Sequence, residues 1–171
     1  IEKRLLGRSG LEVSPLGMGC WAIGGVWQFL DIPGGWGEVD DAESIRTVQA
    51  ALDSGITLFD TAATYGAGHS EVILGQALGK RRSEVVVATK FGFDVNVETK
   101  HVNYYPDEGD VLKHLRLDCE DSLRRLGTDW IDLYQLHVWD YPIERAAELR
   151  DALEDLVRDG KIHYYGWSTD S

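Results

Sequence analysis

Short apolar runs alternate with amphipathic stretches along most of the chain. The apolar runs have the partly β-branched character of strands covered on both faces, and they predict strands over residues 16–20, 56–59, 85–90, 131–137 and 162–168. Between them, apolar residues recur at the spacing of one helical face, which predicts helices over residues 42–54, 70–79, 110–126 and 143–158. This alternation is typical of parallel βαβ units and predicts a single α/β domain over residues 1–171.

Three other segments have less regular patterns. Residues 4–14 hold two short apolar runs around Gly7 and Gly10, which predicts a small β-hairpin. Residues 24–40, rich in glycine and aromatic residues, and residues 92–109, rich in polar residues, predict two long loops. Loops of this length usually carry function. The tryptophans of the first loop either line a pocket or cover the core, and both interpretations stay open.

Polar, titratable residues stand where three successive predicted strands end. Asp60 follows the second strand, Lys90 ends the third and His137 ends the fourth, while Tyr65 lies just beyond Asp60. Each has an ordinary explanation by itself: the acid caps a turn or helix, the lysine is a solvated strand end, and the histidine is a bystander. Together, at the same end of parallel strands, they match the place where (β/α)8 barrels hold catalytic residues.

These four side chains suit general acid catalysis on a carbonyl group. A free phenol is a weak acid at neutral pH, and a nearby ammonium group favours its ionised form. Lys90 can have this effect on Tyr65, and Asp60 can hold Lys90 in place. His137 can bind and orient a carbonyl oxygen that becomes an alkoxide. None of these residues donates a hydride, so the pattern implies a redox cofactor.

Composition narrows the classes of function. The formal net charge of −12 and the isoelectric point near 4.7 argue against nucleic acid and anionic membranes as partners. No apolar run approaches the roughly 20 residues that cross a bilayer, and the first four residues do not resemble a signal peptide. Cys20 and Cys119 are interpreted as reduced thiols of a cytoplasmic protein. The histidines lack metal-site spacing, so we expect no metal.

Five motifs, in order, resemble the N-terminal part of an aldo-keto reductase, and the resemblance covers nearly the whole chain. They are Leu-Gly-Met-Gly-Cys-Trp at 16–21, Asp-Thr-Ala-Ala-Thr-Tyr-Gly at 60–66, Ala-Thr-Lys-Phe-Gly at 88–92, Ser-Leu-Arg-Arg-Leu-Gly-Thr-Asp-Trp-Ile-Asp-Leu-Tyr-Gln-Leu-His at 122–137 and Gly-Lys-Ile-His-Tyr-Tyr-Gly-Trp-Ser at 160–168. The resemblance implies a (β/α)8 TIM barrel of aldo-keto reductase type, closed at its bottom by the N-terminal hairpin. It also implies that only about the first five β/α units lie in this chain.

The resemblance further implies hydride transfer from NADPH to a small aldehyde or ketone substrate. Tyr65 would be the general acid, Lys90 and Asp60 its tuning pair, and His137 the residue that orients the carbonyl. By motif match, cofactor contacts are expected from Gly19, Cys20, Trp21, Asp60, Ser168 and Thr169. Thr169 stands where the family often has Asn. The substrate wall is expected from Trp27, Trp36 and Trp139.

Two other interpretations stay open. Some family members serve as channel subunits or redox sensors, so the chain is alternatively a non-catalytic interaction protein of the same fold. It is also alternatively an inactive half-barrel, because the family's last three strands and helices supply most adenine and pyrophosphate contacts. A half-barrel would expose two sheet edges, and exposed edges favour self-association.

Overall fold

The computed structural model describes residues 2–169, of which residues 108 and 109 are described by their backbone alone. Numbered in chain order, the strands are β1 (Arg4–Leu5), β2 (Glu12–Val13), β3 (Met18–Gly19), β4 (Trp27–Phe29), β5 (Ile32–Gly34), β6 (Leu58–Asp60), β7 (Val86–Phe91), β8 (Asp94–Asn96), β9 (His101–Asn103), β10 (Ile131–Leu136) and β11 (Ile162–Trp167). The helices are α1 (Asp41–Asp53), α2 (His69–Leu78), α3 (Glu108–Leu126) and α4 (Ala146–Arg158).

The main sheet is parallel, with the strand order β11-β10-β7-β6-β3. It contains a strand within each of the five predicted runs, so the prediction of an α/β fold around a parallel sheet is confirmed. In its register Gly19 lies opposite Asp60, and Gln135 lies opposite Lys90. The carboxyl ends of the strands therefore meet at one edge of the sheet, and the polar residues that end them lie there. Strands β1 and β2 form the predicted hairpin.

Local signals explain where the helices begin and end. The Asp40 carboxylate accepts hydrogen bonds from the backbone N–H groups of Ala42 (2.8 Å) and Glu43 (3.2 Å), as an N-cap residue does for a first helical turn. Gly55 has a left-handed φ of 88°, which glycine adopts without strain and which ends helix α1. A short 3-10 turn, Ile143–Arg145, replaces the first turn predicted for the last helix.

The hydrophobic core lies between the main sheet and the helices. From the sheet, the side chains of Phe59, Val87 and Tyr134 are fully buried. They pack with apolar residues on the inner faces of the helices, among them Val48, Leu74, Leu115, Leu149 and Leu156. Each such side chain stabilises the fold by about 1.5–3 kcal/mol relative to an exposed position. The core thus fixes the strands whose ends carry the polar residues.

The two segments predicted as long loops form a second sheet, and in this respect the prediction was wrong. Strands β4 and β5 form one antiparallel hairpin and β8 and β9 another. Strands β4 and β9 then pair in parallel, which gives the order β5-β4-β9-β8. Strands of three residues with unusual turns give no clear alternation in sequence, which explains why the pattern indicated loops. The second sheet lies near the carboxyl edge of the main sheet, since Lys100 Nζ donates to the Gly66 carbonyl (3.1 Å).

Several expected absences concern the described part of the chain. Within residues 2–169, no helix is long and apolar enough to cross a membrane. The same residues hold no cluster of three His, Cys, Asp or Glu side chains placed to bind a metal ion. Cys20 and Cys119 are free and buried, and burial raises the pKa of both thiols to about 12, so both stay protonated at neutral pH.

Candidate active site

The ammonium group of Lys90 connects three oxygen atoms at the carboxyl edge of the main sheet. Lys90 Nζ donates to Asp60 Oδ1 (2.7 Å), to the Thr61 carbonyl (2.8 Å) and to the Tyr65 hydroxyl (3.2 Å). An ammonium group has three N–H donors, so each is used. The Lys90 side chain is only 5% exposed, whereas that of Asp60 is 44% exposed. A buried positive charge is thereby held against the phenol, and its counter-ion reaches solvent.

Close backbone packing fixes the loop that carries Tyr65. Gly66 has a left-handed φ of 65°, and a Cβ atom there would lie 2.0 Å from the Gly24 carbonyl oxygen. The position therefore requires glycine. The Trp21 ring stacks on the Tyr65 ring, with centroids 5.7 Å apart and planes 9° apart. The tyrosine ring is thus held by a tryptophan, and its hydroxyl is held by Lys90.

His137 follows strand β10 and faces the same site. Its ring meets the Tyr65 ring edge to face at 6.0 Å and the Phe93 ring at 5.8 Å, and His137 Nδ1 lies 3.4 Å from Thr64 Oγ1. Burial, with a smaller contribution from the charge of Lys90, lowers the pKa of His137 to about 4. The imidazole is therefore neutral at neutral pH and offers one N–H donor.

His137 and Asp118 give stability opposite dependences on pH. Because folding lowers the pKa of His137 from 6.5 to about 4, its contribution is present above pH 6.5 and is lost as pH falls towards 4. Burial raises the pKa of Asp118 from 3.8 to about 6, so its contribution is present below pH 3.8 and is lost as pH rises through 6. Each effect amounts to about 3 kcal/mol, and the two partly cancel in the native chain.

Single substitutions should separate these two effects. In Asp118→Asn, the His137 effect stands alone, and we expect the free energy of unfolding to fall by about 3 kcal/mol between pH 6.5 and pH 4. In His137→Phe, the Asp118 effect stands alone, so lowering the pH should cost this variant much less. Urea unfolding of both variants across this range measures the difference. Equal pH slopes in the two variants would contradict the assignment.

An apolar pocket of about 270 Å³ opens in front of Tyr65 and His137. Its walls come from three places: the segment after β3, the second sheet, and the loops after β7 and β10. Its lining residues are Trp21, Trp27, Phe29, Ile32, Pro33, Gly34, Thr64, Tyr65, Phe93, His137 and Trp139. The two polar groups suited to a carbonyl oxygen, the phenol and the imidazole, thus face an otherwise aromatic cavity.

The tryptophans expected in the substrate wall fall in two places. Trp27 and Trp139 line the pocket. Trp36 does not line it: its side chain is 80% exposed and stacks on Trp21 with centroids 6.4 Å apart. Trp21, expected beside the cofactor, lines the pocket and covers Tyr65. The second sheet causes this exchange, because it determines which indole rings reach the cavity.

The other residues expected at the cofactor have differing surroundings. Gly19 is exposed beside Asp60, and a Cβ atom there would meet nothing within 4 Å. Cys20 is buried, so its side chain is inaccessible, and its carbonyl accepts the Ser70 hydroxyl (2.6 Å). After β11, Ser168 N–H donates to the Leu136 carbonyl (2.9 Å), and the Thr169 hydroxyl lies 3.4 Å from the Trp139 carbonyl.

Sequence reasoning did not identify most of the pocket lining. Phe29, Ile32, Pro33 and Phe93 lie in the two segments predicted as loops. A weak signal was present, since Trp27 and Phe29 alternate with a polar residue as in a strand with one buried face. Thr64 lies inside the Asp60–Gly66 motif but was not singled out.

Comparison with known proteins places the chain among recognised relatives. The model of the Aldo/keto reductase family matches residues 15–171. Aldo-keto reductase YhdN of Bacillus subtilis is 39% identical over 98% of this chain and 47% of its own length. The aryl-alcohol dehydrogenase, NADP(+), of Phanerodontia chrysosporium is 32% identical over 98% of this chain and 43% of its own.

Solved structures agree with these relatives. The holo form of aldo-keto reductase AKR11C1 from Bacillus halodurans superposes with a TM-score of 0.77 at 36% identity, over 99% of this chain and 50% of the other. An aldo/keto reductase from Klebsiella pneumoniae in complex with NADP and acetate gives a TM-score of 0.68 at 28% identity, over 92% and 46%.

Fold and site together define an α/β protein with a parallel sheet and a polar site at the carboxyl ends of its strands. The chain belongs to the aldo/keto reductase family. It spans about half the length of the curated relatives that it matches.

Proposed function

We propose that this chain carries the active site of an oxidoreductase that transfers a hydride from NADPH to an aldehyde or ketone. The observation that carries the proposal is the buried Lys90 ammonium, which donates to both the Asp60 carboxylate and the Tyr65 hydroxyl. A positive charge beside a phenol stabilises the phenolate that remains after the phenol gives up its proton. The arrangement therefore supports Tyr65 as the general acid.

The proton would pass from the Tyr65 hydroxyl to the carbonyl oxygen as that oxygen gains negative charge. The carbonyl becomes an alcohol, and the phenolate stays beside Lys90. His137 would donate its ring N–H to the same oxygen and set the direction of approach. Because His137 is neutral, it can bind the oxygen without placing a second positive charge beside Lys90.

NADPH, when bound, would supply the hydride for this reaction. Asp60 suits the nicotinamide ribose, since its carboxylate is 44% exposed and can accept hydrogen bonds from hydroxyl groups. Gly19 leaves open space beside it. Ser168 and Thr169 would contribute at the end of β11. The Klebsiella pneumoniae relative in complex with NADP supports the choice of nucleotide.

The substrate would be an aryl aldehyde or ketone. Aromatic rings prefer stacked or edge-to-face neighbours, and the rings of Trp21, Trp27, Phe29, Phe93 and Trp139 line the pocket. A cavity of about 270 Å³ is large enough for one small ring system. The name of the Phanerodontia chrysosporium relative, an aryl-alcohol dehydrogenase, agrees with this class.

The test is a turnover assay on the chain itself. NADPH oxidation is followed by absorbance with benzaldehyde derivatives and with straight-chain aldehydes, and NADPH binding is followed separately by tryptophan fluorescence. We expect faster turnover of the aryl compounds. NADPH binding without turnover of any aldehyde or ketone would contradict the proposal and favour a non-catalytic member of the family.

Phe29→Ala should test the aromatic pocket. Phe29 lines the pocket from the second sheet and contacts Phe93 at 5.5 Å. Losing an aromatic wall removes about 1.5–3 kcal/mol of apolar burial, so we expect KM for aryl aldehydes to rise about 10-fold or more. Leu30→Ala is the matched control, since Leu30 is next in the chain but does not line the pocket. An equal rise in both variants would argue against specific contact with Phe29.

A further inference from the structure

Two polar residues in the first turn of helix α2 are fully buried. Ser70 and Glu71 are both 0% exposed. A carboxylate without partners at such a depth would be strongly unfavourable, so its contacts must be strong and specific. Neither residue belongs to the site described above, but both lie next to the loop that carries Tyr65.

Glu71 binds the strand that carries Lys90. The Thr89 hydroxyl donates to Glu71 Oε1 (2.6 Å), and Arg125 Nε of helix α3 donates to Glu71 Oε2 (2.6 Å). Thr89 and Lys90 are neighbours in strand β7, and successive side chains of a strand point to opposite faces. Glu71 therefore holds β7 from the helix side of the sheet, while Lys90 projects towards Tyr65.

Ser70 binds the loop that carries Tyr65. Ser70 N–H donates to the Tyr65 carbonyl (3.2 Å), and the Ser70 hydroxyl donates to the Cys20 carbonyl (2.6 Å). A serine hydroxyl has a single hydrogen, so the Thr61 hydroxyl, 2.9 Å away, donates to Ser70. The carbonyl of that same Thr61 accepts from Lys90 Nζ.

We propose that the Ser70–Glu71 pair positions Tyr65 relative to Lys90. The two adjacent residues connect the backbone of the tyrosine to the strand of the lysine by a closed set of hydrogen bonds, and this set fixes the 3.2 Å contact between Lys90 Nζ and the Tyr65 hydroxyl. Glu71 and Ser70 touch neither substrate nor cofactor, so they are positioning residues. The catalytic consequence rests on the proposed function.

Two substitutions test the pair at its link to β7. Thr89→Val keeps the shape of the side chain and the Glu71–Arg125 ion pair but deletes the hydroxyl donor. Glu71→Gln keeps the shape and removes the charge. Small displacements of catalytic groups cost up to about 100-fold in rate, so we expect kcat to fall about 10-fold in both variants. KM for the carbonyl substrate and the affinity for NADPH should stay unchanged.

Asp132→Asn is the matched control. Asp132 is also a buried carboxylate, with an 8% exposed side chain, and it pairs with Arg82 at 2.7 Å and accepts from Val87 N–H at 2.9 Å. It lies at the amino ends of β7 and β10, away from Lys90. We expect this variant to lose stability as Glu71→Gln does but to keep its kcat. An equal loss of kcat in the two variants would overturn the inference.

A spectroscopic measurement separates this inference from the proposed function. Ammonium protons held in hydrogen bonds exchange slowly with water and give an NMR signal in lysine labelled with nitrogen-15. We expect the Lys90 signal in the native chain and in Asp132→Asn, and a weaker or shifted one in Thr89→Val and Glu71→Gln. If no carbonyl compound is reduced, the proposed function fails and this signal still decides. A Lys90 signal unchanged in all variants overturns the positioning role.

Discussion

Tyr65→Phe is expected to lower kcat by about 1,000-fold or more while leaving the fold and NADPH binding intact. The substitution removes only the hydroxyl group, which is the proposed proton donor, and general acid catalysis contributes about 100- to 10,000-fold. The phenylalanine ring can still stack on Trp21. One hydrogen bond from Lys90 is lost, at a cost of about 1–2 kcal/mol in the free energy of unfolding.

The measurement compares steady-state reduction of an aryl aldehyde with NADPH affinity and urea stability. Tyr164→Phe is the control, because Tyr164 lies on β11 with a 38% exposed side chain and does not line the pocket. We expect Tyr164→Phe to keep full turnover. An unchanged kcat in Tyr65→Phe would show that the phenol is not the proton donor.

Lys90→Met is expected to lower kcat by about 100-fold or more, the second largest effect. Methionine fills much of the same volume but carries no charge, so the phenolate left after proton transfer loses its neighbouring cation. The Asp60 carboxylate also loses its partner, although its 44% exposure lets water replace part of that contact. We therefore expect a smaller change in stability than burial of Lys90 alone would suggest.

Two further variants make this expectation specific. Lys113→Met is the control, since Lys113 pairs with Asp110 on helix α3 and its side chain is 67% exposed. Its kcat should be unchanged. Asp60→Asn keeps an oxygen acceptor for Lys90 but removes the counter-charge, so its kcat should lie between those of the native chain and Lys90→Met. A Lys90→Met chain with native kcat would remove the tuning role from the proposal.

The candidate site illustrates why parallel sheets concentrate chemistry at one edge. Asp60, Lys90 and His137 come from three neighbouring strands, and only the shared strand direction brings them to the same end. Burial then gives each a distinct state: a satisfied ammonium group, an accessible carboxylate and a neutral imidazole. The second sheet adds aromatic walls without changing this polar arrangement.

The sequence alone predicted the main elements and the four polar residues. Apolar periodicity is local, so it identified the five strands of the main sheet and, within a few residues, the four helices. Once the strands were taken as parallel, residues at their carboxyl ends had to lie near one another. The juxtaposition of Lys90 with Asp60 and Tyr65 follows from that step, whereas their catalytic roles remain proposals.

The second sheet could not be predicted from local signals. Its first hairpin turns at Leu30, which has a left-handed φ of 55°, a conformation that leucine rarely adopts. Its second turns at Asn96, whose side chain accepts from the N–H groups of Glu98 and Thr99. Neither turn contains the Asn-Gly or Asp-Gly pair that indicates a hairpin. The parallel pairing of β4 with β9 joins segments far apart in the chain.

The chain's own sequence determined which elements form and which chemical groups stand at their ends, because periodicity and strand direction act over a few neighbouring residues. Tertiary structure alone decided which tryptophans line the pocket, that Cys20 is buried, and that Glu71 is a buried partner of Thr89 and Arg125. Those partners lie 18 and 54 residues from Glu71 in the chain. Burial and pairing at such separations depend on how the layers pack, and the packing of layers leaves no local pattern in the sequence.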